Sequence, residues 1–280
     1  MFYLDFVGII AQFPCYASVS MLKLLIASCV MALEAVVVGR RKCSIRRLIF
    51  DRSPSSRKDI ALFVVQMCGA VPLLAAISLF GLPLLTDAFV SWSHVNQLRI
   101  NTGYFVGDLS LFLLFWSLGD YWRHRLLHTS KFWPLHRLHH SAEEMNVIAS
   151  IRQHPGSYWL RTFTTGLLPA LFLMPVWFAL MFGTFIMTWG YLTHADLPWT
   201  FGWIGRWVLV SPAAHRLHHS LLPEHGNKNF SGTFIWCDRV FGTYMKPTSE
   251  RPPVGTDDDK ASGLVGELVD DSIRFVSWTG

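Results

Sequence analysis

The sequence predicts an all-α fold: a polytopic membrane helical bundle of about four to five membrane segments, including a helical hairpin, with a cytoplasmic histidine-rich helical cap. Three observations predict it. Charged residues make up 15% of the 280 residues and hydrophobic ones 51%, whereas soluble domains carry about 25% charged residues. Residues 60–86 and 162–193 are uncharged runs of 27 and 32 residues, longer than the roughly 20 that a spanning helix needs. Eleven of the twelve histidines fall between residues 124 and 225, in boxes with helical spacing.

Residues 6–39 are apolar except for Lys23 and Glu34, and they supply the first membrane segment, near 15–39. Eight basic residues then run from Arg40 to Lys58 against one acid, Asp51. Such a run can bind nucleic acid. Between two hydrophobic segments it reads better as a cytoplasmic loop, held by the positive-inside rule and by anionic lipid. The next segments are expected near 60–85 and near 100–119. The second of these carries Asp108, which is costly in lipid and is expected to face protein.

The histidine cap is expected over 120–155 and again over 194–245. The hydrophobic stretch between, 157–193, has to leave and re-enter the same face. A single crossing would strand His194 and the last box across the bilayer from the others. Two passes need about 40 residues, and 157–193 comes close with Arg161 snorkelling and Pro169 and Pro175 at the turn. Residues 1–245 are thus read as one integral-membrane domain. Residues 246–280, with several prolines and the run Asp257-Asp258-Asp259, are read as a loosely structured tail. The five cysteines show no C-x-x-C spacing and are read as small apolar residues, not as disulfides or ligands.

The hexapeptide His-Arg-Leu-His-His-Ser occurs at 136–141 and again at 215–220, each time shortly after a proline, and His124-x3-His128 precedes both. Helical residues three and four apart share a face. His124 with His128, His136 with His140, and His215 with His219 therefore form three pairs, with His139 and His218 beside them. Neutral imidazole suits Zn, Cu, Fe and Ni. Eight rings are too many for one tetrahedral ion, so two metals with four or five imidazoles each is the economical count. His194, at the mouth of the hairpin, and His154 are expected as additional ligands.

Two irons at the membrane surface would reduce dioxygen and oxidise a carbon–hydrogen bond in a lipid tail or ring. Iron is preferred to zinc because hydrolytic sites hold fewer ligands and keep a carboxylate base nearby. Asp120, four residues before His124, is read evenly as the acceptor of that ring's second N–H or as a plain interfacial charge. Glu143 and Glu144 are read as a solvated face, His94 as structural or surface, and His225 as a loop hydrogen-bonder. A histidine-rich membrane metal transporter or a haem-binding protein is the alternative. It fits less well, because transport ligands lie at mid-membrane depth and haem needs only one or two axial histidines.

With these residues in view, the chain resembles the fatty acid hydroxylase/sterol desaturase superfamily, in particular its bacterial sterol-desaturase-type members. The three ordered boxes carry the likeness. So do Asp120-Tyr-Trp-Arg-His-Arg, Ser141-Ala-Glu-Glu-Met-Asn, Arg152-Gln-His-Pro, Lys228-Asn-Phe and Trp236-Cys-Asp-x-x-Phe-Gly-Thr. It covers roughly residues 60–245. The resemblance implies a helical membrane fold, a non-haem di-metal centre facing the cytoplasm, and O2-dependent hydroxylation or desaturation of a lipid. It also implies electrons from an external cytochrome b5- or ferredoxin-like donor. The expected location is a multi-pass integral membrane protein, of the bacterial inner membrane before the endoplasmic reticulum.

Overall fold

The structure, a computed structural model, describes residues 13–68, 92, 100–161, 164–165, 168–172, 174–248, 250–257 and 263–278. Every regular element among them is helical; two isolated bridges, Leu209–Phe234 and Ser220–Val254, are the nearest approach to β-structure. The all-α expectation therefore holds for the described residues.

Helix α1 spans Phe13–Val38. Its part Ser18–Val38 is, among the described residues, the one helix long and apolar enough to cross a membrane, and only 17% of its most apolar window is buried. Met21, Leu25 and Val36 point outward, as lipid-facing residues do. Glu34 is fully buried. One of its oxygens accepts from the backbone N–H of Ser44 at 2.8 Å and the other from that of Asp196 at 2.8 Å. The lone acid of this helix thus joins it to the basic loop and to the chain just beyond His194.

Helix α2, Ser44–Arg46, runs into a π-turn over Arg47–Asp51. Helix α3, Pro54–Met67, begins with proline in its first turn and with the Ser53 hydroxyl capping the N–H of Ser56 at 3.1 Å, the pairing that starts helices. The rest of the segment expected near 60–85 lies outside the described residues, as does His94. The segment expected near 100–119 is part of α4, Phe105–Leu127, which continues past the apolar stretch to carry Asp120 and His124. Asp108, expected to face protein, lies in the first turn of α4. It accepts from the N–H and hydroxyl of Thr102 at 2.7 and 2.9 Å, because a carboxylate is favoured at a helix N-terminus.

The first hexapeptide forms α5, Pro134–His140. A 3₁₀ turn, Val147–Ile151, and α6, Pro155–Arg161, follow, then α7, Leu168–Leu171, and α8, Val176–His194, which starts directly after Pro175. The Gln153 amide lies 3.0 Å from the His139 ring, and the His194 ring lies 3.3 Å from it. The chain therefore leaves this point after Gln153 and returns to it at His194. Phe112 of α4 sits edge-on to Phe172, Phe178 and Phe182 at 5.9, 5.4 and 5.1 Å, which locks α4 against the returning limb.

Helices α9, Gly202–Trp207, α10, Pro212–His218, and α11, Trp236–Val240, complete the cap. Residues 246–280 were expected to be a loose tail, but they contain helix α12, Leu264–Val276, packed on α5. The Asp271 carboxylate accepts from Arg137 Nε at 2.7 Å, and Glu267 pairs with Lys58 at 2.5 Å. The two acids are four residues apart and so share one face. Their partners are far away in sequence, which composition alone does not reveal.

Arg152 is the central polar link of the cap, 1% exposed. It pairs with Asp59 at 3.0 Å and donates to the Leu138 carbonyl at 3.0 Å and to the Ser141 hydroxyl at 2.7 Å. Removing one partner of a buried pair leaves a bare charge and costs about 3–5 kcal/mol. Arg152→Met is expected to lower the melting temperature of the solubilised protein sharply, and adding Asp59→Leu should recover much of the loss. A single variant as stable as the double would contradict this account.

Candidate metal centre

Proline opens both box helices, so the two short helices start at matching places relative to their histidines. The Ser211 hydroxyl also caps α10, accepting from the N–H of Ala214 at 3.1 Å. Eight of the nine rings that meet here, all but His128, are 2–6% exposed.

The nine rings divide into two groups, within each of which the ligand atoms lie within 4.8 Å of one another. His124, His128, His136, His140 and His218 form one; His139, His194, His215 and His219 form the other. Each hexapeptide is shared between them. Its pair four residues apart enters one group and its middle histidine crosses to the other. Thus α5 gives His136 and His140 to the first group and His139 to the second. The second box does the reverse, with His215 and His219 in the second group and His218 in the first. The rings of His140 and His219 stack at 4.2 Å, joining the groups.

Backbone carbonyls fix how the rings are protonated. His124 Nδ1 lies 2.5 Å from the Phe230 oxygen, His218 Nδ1 2.8 Å from that of Lys228, His194 Nδ1 2.7 Å from that of Gly190, and His139 Nδ1 3.2 Å from that of Arg152. A carbonyl can only accept, so the Nδ1 of His124, His218 and His194 donates and their Nε2 is left with its lone pair, while His139 Nδ1 also meets the Gln153 amide nitrogen at 3.0 Å. Yet His124 Nε2 lies 2.9 Å from His136 Nε2 and 3.0 Å from His218 Nε2. In the second group His194 Nε2 lies 3.3 Å from His139 Nε2 and 3.1 Å from His215 Nε2.

His124 and His218 set two lone pairs face to face at 3.0 Å, which repel unless a cation sits between them, whereas His136 and His215, whose Nδ1 atoms have no partner, can present N–H at Nε2. Protons are a poor choice. Burial first, then mostly the neighbouring imidazoles, pushes the rings well below their ordinary 6.5, with His194 and His218 lowered to about 4. The Nε2 atoms of His128 and His140 are buried and have no hydrogen-bond partner. Ligands about 2.1 Å from an ion are separated by about 3.0–3.4 Å, the edges of an octahedron or tetrahedron. The donor set therefore fits transition-metal ions, one per group.

Of the ten histidines expected as ligands, His154 stands apart from both groups. Its Nε2 faces the Ser272 hydroxyl at 3.1 Å and its Nδ1 accepts from the N–H of Gly156 at 3.1 Å, so it serves the contact with α12. Asp120 does not take the His124 N–H. The Phe230 carbonyl holds that place, and Asp120 accepts from Arg123 at 2.8 Å and from the N–H of Gly232 at 3.2 Å. His225 is the loop hydrogen-bonder expected, 2.9 Å from the Ser220 hydroxyl. Glu144, read as solvated, accepts from the Ser56 hydroxyl at 3.3 Å.

Sequence reasoning gave no role to the loop that supplies two of these carbonyls. Asn227 and Asn229 hold left-handed backbone, φ 56° and 54°, a conformation that asparagine tolerates better than most residues. Asp238 grips the loop by accepting from the N–H groups of Phe230 and Ser231 at 2.7 and 2.9 Å. Lys228-Asn-Phe and Asp238 were visible as motif residues; their task was not.

A cavity of about 450 Å³ reaches His124, His136, His139, His194 and His215. One wall is a stripe along α8: Ala179, Gly183, Met187 and Gly190, ending at His194. A Cβ added at Gly183 or Gly190 would meet nothing within 4 Å, so both glycines widen the space beside the metal groups.

Residues 109–243, just under half the chain, match the family model described as fatty acid hydroxylase. The resemblance to the fatty acid hydroxylase/sterol desaturase superfamily holds over this stretch, which contains the three boxes. Among curated relatives, an alkylglycerol monooxygenase of Xenopus tropicalis is 32% identical over 143 residues, 48% of this chain and 30% of the relative. An ornithine lipid hydroxylase of Rhizobium tropici is 28% identical over 208 residues, 71% of this chain and 61% of the relative. A Delta(7)-sterol 5(6)-desaturase of Candida dubliniensis is 26% identical over 204 residues, 71% of this chain and 50% of the relative. The matched part spans about a third of the length of the alkylglycerol monooxygenases. No solved structure gives a significant match.

The lowered pKa values have a thermodynamic consequence. Below 6.5 the unfolded chain takes up protons that the folded rings refuse, so stability falls as pH drops through 6.5 towards 4. Each ring contributes up to about 1.4 kcal/mol per pH unit. Metal-free protein is expected to lose melting temperature steeply between pH 7 and pH 5, and less steeply when loaded with a divalent metal. A flat profile for the metal-free form would mean that the rings are not neutral and buried.

Proposed function

We propose, for a chain that carries the fatty acid hydroxylase domain over residues 109–243, a membrane-bound non-haem di-iron oxygenase. It hydroxylates or desaturates a lipid with O2 and electrons from a separate cytochrome b5- or ferredoxin-like protein. The observation that carries this reading is the convergence of five and four imidazoles in two adjoining groups at the end of a largely apolar cavity. Zinc is disfavoured, because five imidazoles exceed a tetrahedral shell and hydrolytic zinc keeps fewer ligands. The relatives, named as a lipid hydroxylase, a monooxygenase and a desaturase, agree in reaction class.

His124, His128, His136, His140 and His218 would hold one iron, and His139, His194, His215 and His219 the other. Iron so held supplies the power to cleave a C–H bond at the expense of O2 and two electrons. The chain's own residues do the rest. Carbonyls of Lys228, Phe230, Gly190 and Arg152 keep each Nε2 turned inward. The α8 stripe lays an apolar tail beside the histidines, and burial of the rings keeps bulk water out.

We place the site on the cytoplasmic side of a multi-pass membrane protein, in the bacterial inner membrane. The basic loop after the candidate span Ser18–Val38 supports this. Its Arg47 donates to the Met145 carbonyl and pairs with Asp196, both at 2.5 Å. A loop held inside by the positive-inside rule would therefore keep the histidine cap on the same side.

His139 and His218 each belong to a different group, so His139→Ala and His218→Ala are expected to lower bound iron independently and to reduce turnover by more than about 100-fold. Mass spectrometry of lipid extracts from cells with and without the active protein should show one lipid class gaining an oxygen atom or losing two hydrogens. Wild-type turnover in both variants, or an iron content neither changes, would defeat the assignment.

A further inference from the structure

Three cationic side chains, Lys23, Arg123 and Arg161, line the cavity that reaches the histidines. Arg123 is paired with Asp120 at 2.8 Å. Lys23 of α1 and Arg161 of α6 line the same cavity, and neither side chain has an ion pair or hydrogen bond among the described residues. Gln66 and Tyr158, joined at 3.1 Å, stand in the same wall, and Gln66 Oε1 is a buried acceptor with no partner. Lys23 is also the one basic residue within the candidate span Ser18–Val38. Two like charges at the wall of an apolar cavity repel, and charges in such segments generally face a partner or a ligand.

We propose that Lys23 and Arg161 bind the anionic head of the substrate, so that the lipid is an acidic one: an apolar tail ending in a carboxylate or a phosphate. This rests on the oxygenase reading above and narrows its substrate class. With the head held between α1 and α6, the tail runs along the Ala179–Gly183–Gly190 stripe towards His194. The volume, about 450 Å³, lies at the small end of ligand pockets and suits one acyl or alkyl chain. Gln66 Oε1 is placed to accept from a hydroxyl or protonated oxygen of the head. A neutral lipid would leave Lys23 without a counter-charge and Arg161 with only Asp120, which Arg123 already holds.

The test is binding to the purified full chain in non-ionic micelles, followed by thermal shift over a ligand titration. The probes are oleate, oleoyl lysophosphatidate, and neutral oleyl alcohol and oleyl glycerol ether. In the wild type, at least one acid should bind on the order of tenfold more tightly than the neutral lipids, and the stronger acid identifies the head as carboxylate or phosphate. That preference should collapse in Lys23→Met and Arg161→Gln and persist in Lys23→Arg. Equal binding of acids and neutral lipids by the wild type overturns the proposal whether or not the variants fold. So does a preference unchanged in both neutralising variants, the result expected if these cations only snorkel to the surface. Iron content and turnover are measured on the same samples. Absent iron or turnover with the acid preference intact would count against the oxygenase alone, and the reverse pattern against the head site alone.

Discussion

The structure depends on a repulsion that only a cation can relieve. Nine imidazoles meet in the cap, and three of them have their outer nitrogens committed as donors to backbone carbonyls. Their inner nitrogens then turn lone pairs towards one another and towards their neighbours at 2.9–3.3 Å. A fold that brings these rings together without an ion bears that cost in full, with burial making protonation a poor remedy. The elements around the site can be understood as what holds the rings in place despite it. Arg152 ties α3 and α5 together, α12 covers the outer face of α5, and Asp238 and Asn229 grip the loop that delivers two of the carbonyls.

Reciprocal sharing of the hexapeptides follows from helix geometry. Residues four apart lie within about 40° of each other around an α-helix, and the residue between points well to the side. Two such helices placed against each other cannot give all three rings to one ion. The side-pointing ring of each is available to the partner's pair. His124 with His128 on one flank and His194 on the other then complete unequal sets of five and four. The same helical repeat thus produces two neighbouring sites instead of one crowded site.

That much of the centre was legible in the sequence because it is local. The three pairs, their gathering into two groups of four or five rings, the addition of His194 and the need for the chain to return to the site there come from spacing and from the length of uncharged runs. What was not legible is what depends on crossing elements. Which ion each histidine joins depends on how α5 meets α10. His154 sits next to Gln153, whose amide touches the site, yet its ring turns away to α12, whose acids pair with residues over 100 positions away. Asp120 had the right spacing for His124 but lost the place to a backbone carbonyl, and backbone acceptors leave no mark in composition.

The distribution of acids around the centre has a further consequence. Among the described residues no carboxylate enters either group. Asp59, Asp120, Asp196 and Asp238 all lie nearby, but each is engaged by arginines or by backbone N–H groups. Metal ions held only by neutral nitrogens would keep their full positive charge, unlike ions held by carboxylates or thiolates. Such a charge in a buried site favours the more reduced state of a redox ion and attracts anions and electron-rich partners. Lys23, Arg123 and Arg161 extend the same sign of field along the cavity, offset only by Asp120. The cavity wall therefore sets three cations and one acid among apolar side chains. A neutral lipid would gain from the walls alone, whereas an acidic one would gain from both the walls and the field.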